Sequence, residues 1–325
     1  MRGKAASSTR AETGRRSVTP KKLRLPGVVP NRLDQQIYRE SAETAAATGR
    51  YGLGHLEETE AEVARALITG CSTGIGRATA VELAKRGHEV VATARRPEVL
   101  DDLDVALRLA LDVTSDASIA AAVAAAGPVD VLVNNAGISV GGPVEFVPVA
   151  EAQRMFETNV WGAVRMVQAI APGMRERSRG WIVNVTSTMG RVVAPLGGYY
   201  AASKWALEAL SEATDNELRH FGIRTIVIEP GYIDTPILES ERPDVEAPYD
   251  ELARLWDAAV NQLQGEGGPP GPEIVAIAIA DLLEEDEPKL RHPVGADAEM
   301  IISLRDSMSY EEFVTTVRGT LGIDW

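Results

Sequence analysis

Between residues 64 and 229 the chain alternates short, nearly unbroken apolar runs with longer stretches whose apolar positions recur at helical spacing. ARALIT (64–69), EVVATA (89–94), LRLALDV (107–113), VDVLVN (129–134), WIVNVT (181–186) and RTIVIE (224–229) have the length and apolar continuity of strands buried on both faces. Helices are predicted from the glycine-rich loop after the first run to Arg86, over 116–126, over 150–176 and over 198–221. Strands separated by helices predict an α/β fold with a parallel sheet covered on both sides. Right-handed crossovers then make it a doubly wound sheet of Rossmann type, in a single domain over 61–325.

Past residue 230 the pattern loosens. A long insertion over 231–271 carries Tyr232, Ile237, Leu238, Tyr249, Leu252, Leu255 and Trp256, and its 248–264 part has the spacing of an amphipathic helix. It is expected to act as a lid over an apolar substrate. RHPVGADAEMII (291–302) leads into SYEEFVTTVRGTLGIDW (309–325), which reads as a helical tail in place of a closing strand.

Charge changes the picture only at the start of the chain. The net charge is −14, yet residues 1–50 hold eleven Lys and Arg against four Asp and Glu. That segment lacks a sustained apolar period, so a disordered basic extension is expected over 1–60. The acidic remainder argues against nucleic acid as a partner, because phosphate contacts need basic surface. No apolar run reaches the ~18 residues of a membrane span. A lone cysteine, Cys71, excludes an internal disulfide framework and fits the cytoplasm. The histidines (His55, His88, His220, His292) show no metal-ligand spacing, and no metal is expected.

Three stretches carry candidate chemistry. TGCSTGIG (69–76) follows the first strand: Gly70, Gly74 and Gly76 permit a tight turn and close backbone approach, and Ser72, Thr73 and Ile75 lead into a helix N-terminus suited to a pyrophosphate. ATARRP (92–97) ends the second strand with Arg95 and Arg96 where an acid would select the ribose hydroxyls of NAD. Arg95 therefore favours the 2′-phosphate of NADP(H). In YYAASK (199–204), Tyr200 and Lys204 are four apart and share a helix face, while Tyr199 turns away to packing or a pocket wall. A nearby ammonium is expected to lower the phenol pKa by about two to three units and so make a proton-transfer pair.

With NNAG at 134–137 added, the order and register of these motifs over roughly 64–240 resemble the short-chain dehydrogenase/reductase family, in its hydroxysteroid- and retinol-dehydrogenase-like branch. The resemblance implies catalysis by Asn159, Ser187, Tyr200 and Lys204, with Asn159 positioning a water beside Lys204. Thr186 and Thr188 are competing hydroxyls, and register favours Ser187. It also implies that Asp112 and Val113 flank the adenine and that Asn134 and Ala136 line the cofactor. Pro230, Ile233 and Thr235 of PGYIDT (230–235) would then meet the nicotinamide half. The implied activity is NADP(H)-dependent interconversion of an alcohol and a ketone or aldehyde on an apolar small molecule, by a homodimer or homotetramer. A non-catalytic NADP sensor would not need the Asn-Ser-Tyr-Lys set, and the glycine spacing argues against a nucleotide-sugar epimerase.

Overall fold

Leu67 and Ile68 are adjacent on the first strand, and both are fully buried, but in opposite layers. That period of two, repeated along the sheet, is why the strands read as unbroken apolar runs. The structure, a computed structural model, describes residues 63–239, 245–264 and 267–325. The extension expected over 1–60 lies outside the described residues, as do 240–244 and 265–266 of the insertion.

The strands are β1 Arg65–Ile68, β2 Glu89–Ala94, β3 Leu107–Ala110, β4 Val131–Asn134, β5 Gly180–Val185, β6 Ile223–Pro230 and β7 Arg291–Val294. They form one parallel sheet in the order β3-β2-β1-β4-β5-β6-β7. The helices are α1 Gly74–Lys85, α2 Asp116–Ala126, α3 Val149–Phe156, α4 Gly162–Glu176, α5 Gly198–Leu218, α6 Asp250–Gln264, α7 Glu273–Leu283, α8 Ala296–Asp306 and α9 Tyr310–Leu321. On one face Ala80 and Leu83 of α1 and Val275 and Ile279 of α7 pack on Ile68, Val90, Val133 and Ile228. On the other, Ile119 of α2 and Met166, Ile170 and Met174 of α4 pack on Leu67, Val91, Leu132 and Ile182. The strand order reverses between β1 and β4, and a crevice for ligand opens at such a switch point, outside the carboxyl ends of the strands.

Three features differ from the sequence reading. First, RHPV forms β7, pairing Arg291 with Val227 and Val294 with Pro230. Only Val294 of its residues is buried, so the run lacks the apolar continuity of the inner strands, and Pro293 is tolerated because the strand is at the sheet edge. Second, α7 fills a stretch for which no element was predicted; its uniformly apolar IVAIAIA has the length of a strand but is coiled against α1. Third, the single helix predicted over 150–176 is interrupted by a π turn at Glu157–Trp161 between α3 and α4. Such turns insert one extra residue into the helix and often occur at functional sites. This one contains Asn159.

Candidate active site

β1 runs into the glycine turn. Gly74 adopts φ +57° against the Thr235 side chain, and a side chain on Gly76 would collide with Asn135 and the Gly70 carbonyl. Thr73 precedes α1 in an extended conformation without capping it through its side chain. The first-turn N–H groups of α1, that of the half-buried Ile75 among them, are therefore left without a side-chain cap next to the exposed Ser72 and Thr73, a geometry suited to an anion. Asn135 secures the turn from β4: its Nδ2 donates to Thr69 O at 2.9 Å and Gly70 O at 3.1 Å, and its backbone N–H donates to Thr69 Oγ1. Ala136 N donates to the same hydroxyl. Cys71 is fully buried, and desolvation pushes its thiol up to about 12, so it is a packing residue and not a nucleophile.

Arg95 is exposed immediately beyond β2. Asp112, after β3, accepts bonds from the Thr114 hydroxyl and backbone N–H, which hold its carboxyl below the usual range. The charge of Arg95 adds to that shift. Val113 is buried, with Gly162 of α4 packed against it. Ile233 is also buried, inside the core cluster, so its side chain anchors the 230–235 loop. Pro230 is buried at the end of β6, and Thr235 is half-buried beside Gly74.

The catalytic candidates converge where α5 lies along the end of β5. Tyr200 is half-buried, with its phenol oxygen beside Ser187. Desolvation pushes the phenol up to about 12, with a hydrogen bond from Ser187 pulling the other way. Met189 N donates to Ser187 Oγ at 3.1 Å and so aims that hydroxyl. Lys204 is buried and donates from Nζ to Val185 O at 2.9 Å. Burial pulls its amine down to about 8, against the opposing charge of Glu208. The pKa shift expected from sequence is thus reversed: loss of water disfavours both charged forms more than the neighbouring ammonium favours the phenolate. Thr186, a competing hydroxyl, turns away from Tyr200; its Oγ1 lies 2.6 Å from Glu208 Oε1 and 2.9 Å from Ile228 O.

Asn159 donates both amide hydrogens, to Ile138 O at 2.9 Å and to Ser203 Oγ at 3.1 Å, and its Oδ1 accepts from Ile138 N at 2.8 Å. Its side chain clamps the loop after β4 onto α5. Asn134 donates to Asn184 Oδ1 at 2.9 Å, and Asn184 donates to Ser211 Oγ at 2.8 Å, while Asn134 Oδ1 is buried without a partner. Sequence reasoning missed Asn184, Ser203, Glu208 and Ser211. Two of the four, Glu208 and Ser211, were visible in principle, since positions 200, 204, 208 and 211 make one helical face that includes Tyr200 and Lys204.

The turn, the crevice and this cluster define a dinucleotide-binding α/β oxidoreductase. The chain belongs to the short chain dehydrogenase family, whose model matches residues 64–246, and it is an enzyme acting on CH–OH groups. Human retinol dehydrogenase 8 is 43% identical over 247 residues, covering 69% of this chain and 79% of that protein. Among solved structures, a short-chain dehydrogenase from Streptomyces avermitilis matches with a TM-score of 0.69 at 33% identity, covering 81% of this chain and 100% of that one. A short chain dehydrogenase from Burkholderia cenocepacia in complex with NADP matches at 0.64 and 25% identity, covering 80% and 98%. The 3-ketoacyl-(acyl-carrier-protein) reductase from Brucella melitensis complexed with NADH matches at 0.58 and 30% identity, covering 67% and 90%.

Proposed function

We propose that this enzyme uses NADP(H) to interconvert an alcohol and a ketone or aldehyde on a fairly apolar substrate, with Asn159, Ser187, Tyr200 and Lys204 carrying the chemistry. The observation that supports this best is the Tyr200 phenol, hydrogen-bonded by Ser187 and backed by the buried Lys204. The residues fit the cofactor. The glycine turn packs its backbone against Asn135, Ala136 and Thr235 with no room for side chains, the amides of α1 are available to a pyrophosphate, and Asn134 Oδ1 is an unmatched buried acceptor beside the crevice. Gly70, Ser72, Thr73, Gly74 and Ile75 would hold the pyrophosphate, and Arg95 the 2′-phosphate. Asp112 and Val113 would border the adenine, Asn134 and Ala136 the central crevice, and Pro230, Ile233 and Thr235 the nicotinamide end. When bound, the nicotinamide gives or takes the hydride.

In reduction Ser187 donates a hydrogen bond to the carbonyl oxygen as negative charge develops there. Tyr200 transfers its hydroxyl proton to that oxygen. A phenol held up at about 12 is fully protonated at neutral pH, which suits an acid. Lys204 stabilises the phenolate left behind, and Asn159 keeps the β4 loop and α5 in register for the transfer. In oxidation the same groups run in reverse.

The apolar substrate class is supported by the insertion, where Leu252, Leu255 and Trp256 are half-buried along α6. Tyr249 packs edge-on to Phe146 and stacks on Trp325, so the insertion, the loop before α3 and the C-terminus meet in one aromatic cluster. The likeness to a retinol dehydrogenase points the same way. The test is NADPH oxidation, followed by absorbance, with retinoid and long-chain aldehydes, ketosteroids and small polar ketones. Turnover favouring the extended apolar carbonyls is expected. Preference for the small polar ketones, or no oxidation with any carbonyl, would refute the proposal.

A further inference from the structure

One turn along α5 from Lys204 lies a charged cluster that the reaction as described does not use. Glu208 follows Lys204 by one turn of α5 and is 4% exposed, as is Lys204. Its Oε1 meets Thr186 Oγ1 at 2.6 Å, and its Oε2 accepts from Arg291 Nε on β7 at 2.8 Å. The other charged groups around it are Glu212 of α5, 2.7 Å from Arg291 Nη2, and Glu229 of β6, 3.7 Å from Arg291 Nε. Arg191 bridges Glu229 at 3.2 Å and Asp306 of α8 at 3.0 Å.

A register links this cluster to catalysis. Along one face of α5, Tyr200 meets Ser187, Lys204 meets the Val185 carbonyl, Glu208 meets Thr186 and Ser211 meets Asn184. One helix face is thus docked, turn after turn, on the four residues 184–187 at and just beyond the end of β5. We propose that Glu208 is a positioning residue that keeps Lys204 in its cationic form, and that Arg291, reaching from the edge strand, tempers the strength of that effect. This rests on the assignment of Tyr200 and Lys204 to the reaction.

The electrostatics agree in direction. Burial alone would drive Lys204 toward the neutral amine, and the charge of Glu208 is what opposes it. Glu229 is engaged with Arg191 instead: burial and then repulsion from Glu208 raise its carboxyl, that ion pair opposes the rise, and its Oε2 has no hydrogen-bond partner. Glu208 therefore supplies the anionic field one turn from the ammonium, where side chains are about 5–6 Å apart.

The test is the pH profile of kcat/KM for carbonyl reduction. Its alkaline limb reports loss of the Lys204 proton, and it should move down by about one to two pH units in Glu208→Gln. Glu208→Asp, which keeps the charge, should restore the wild-type limb. Arg291→Met removes a neighbouring cation and should move the limb up, so it carries the test alone if Glu208→Gln does not fold. A limb that stays put in a folded Glu208→Gln or in Arg291→Met, with only the melting temperature lowered, would reduce Glu208 to a structural role and overturn the proposal. Tyr200→Phe separates the two failures. If it retains turnover, the catalytic assignment has failed; if it is inactive while the limb does not move, only the role of Glu208 has failed.

Discussion

Lys204 and Tyr200, one turn apart on α5, meet ammonium to ring: Nζ stands 5.6 Å from the centre of the Tyr200 ring and gives its hydrogen bond to Val185 O at 2.9 Å. The ammonium thus approaches the π face and is held by the strand, while Ser187 is the group bonded to the phenol oxygen. A face-on cation stabilises the neutral ring as well as the phenolate. Proximity therefore does not by itself make Tyr200 a strong acid, and the pair stands ready with its proton on the phenol.

Tyr200→Phe removes that proton and leaves the ring. Turnover should fall by at least about a hundredfold, the usual scale of a positioned general acid, while NADPH binding, read by fluorescence titration, should change little. Tyr199→Phe should be mild, because the Tyr199 hydroxyl only donates to Val144 O at 3.3 Å near the surface. A Tyr200→Phe enzyme of near-normal activity would contradict the assignment.

The two displaced pKa values predict how stability responds to alkali. Unfolded, Lys204 keeps its proton to about pH 10.5, but in the fold it releases it near 8. The unfolded state binds the extra proton between those values, so this group's contribution to stability rises as pH climbs from 8 towards 10.5. The phenol acts oppositely: it titrates near 10 when unfolded and near 12 when folded, so its contribution falls from pH 10 to 12. Comparing the wild type with Lys204→Met isolates the first effect. The stability gap in favour of the variant should narrow between pH 8 and 10, by on the order of 3 kcal/mol at most. A gap independent of pH would mean that Lys204 keeps its ordinary proton affinity in the fold.

Much of this architecture was legible because the inner strands are buried on both faces and leave a continuous apolar signature, as EVVATA and WIVNVT do. β7 escaped because an edge strand needs little apolar surface, and RHPV is held mainly by its pairing to β6. That Tyr200, Lys204 and Ser187 would meet was legible from spacing. Their electrostatics were not, because the decisive quantity is how much water is removed around Tyr200 and Lys204, which depends on the packing of β5 and α5. Glu208, read alone, is an ordinary acid on a helix; it acquires meaning only when Arg291, 83 residues away, arrives beside it.

The polar ladder between α5 and the sheet should be a stability element in its own right. Ser211→Ala leaves Asn184 Nδ2 without its acceptor in the buried Asn134–Asn184–Ser211 chain. A buried donor left unsatisfied costs about 1–3 kcal/mol. Denaturant midpoints should fall accordingly, and cofactor affinity should be far less affected. No loss of stability would indicate that water replaces the hydroxyl.

Cofactor choice tests the far end of the crevice. Arg95 is exposed at the end of β2 and lies near enough to Asp112 to depress its carboxyl, so a cation borders the rim where the adenosine end of a dinucleotide would rest. A charge-assisted contact to a 2′-phosphate contributes about 1.5–3 kcal/mol, or roughly ten- to a hundredfold in affinity. Ala94, where an acid would favour NAD, is packed into the core cluster, so an aspartate there would add a burial penalty to any change of preference. Position 95 is the cleaner probe. Arg95→Ala should weaken NADPH by that factor and leave NADH nearly unchanged, and the NADPH advantage of the wild type should shrink as salt is raised, because the contact is exposed. Equal wild-type affinity for the two cofactors would show that Arg95 is ordinary surface charge.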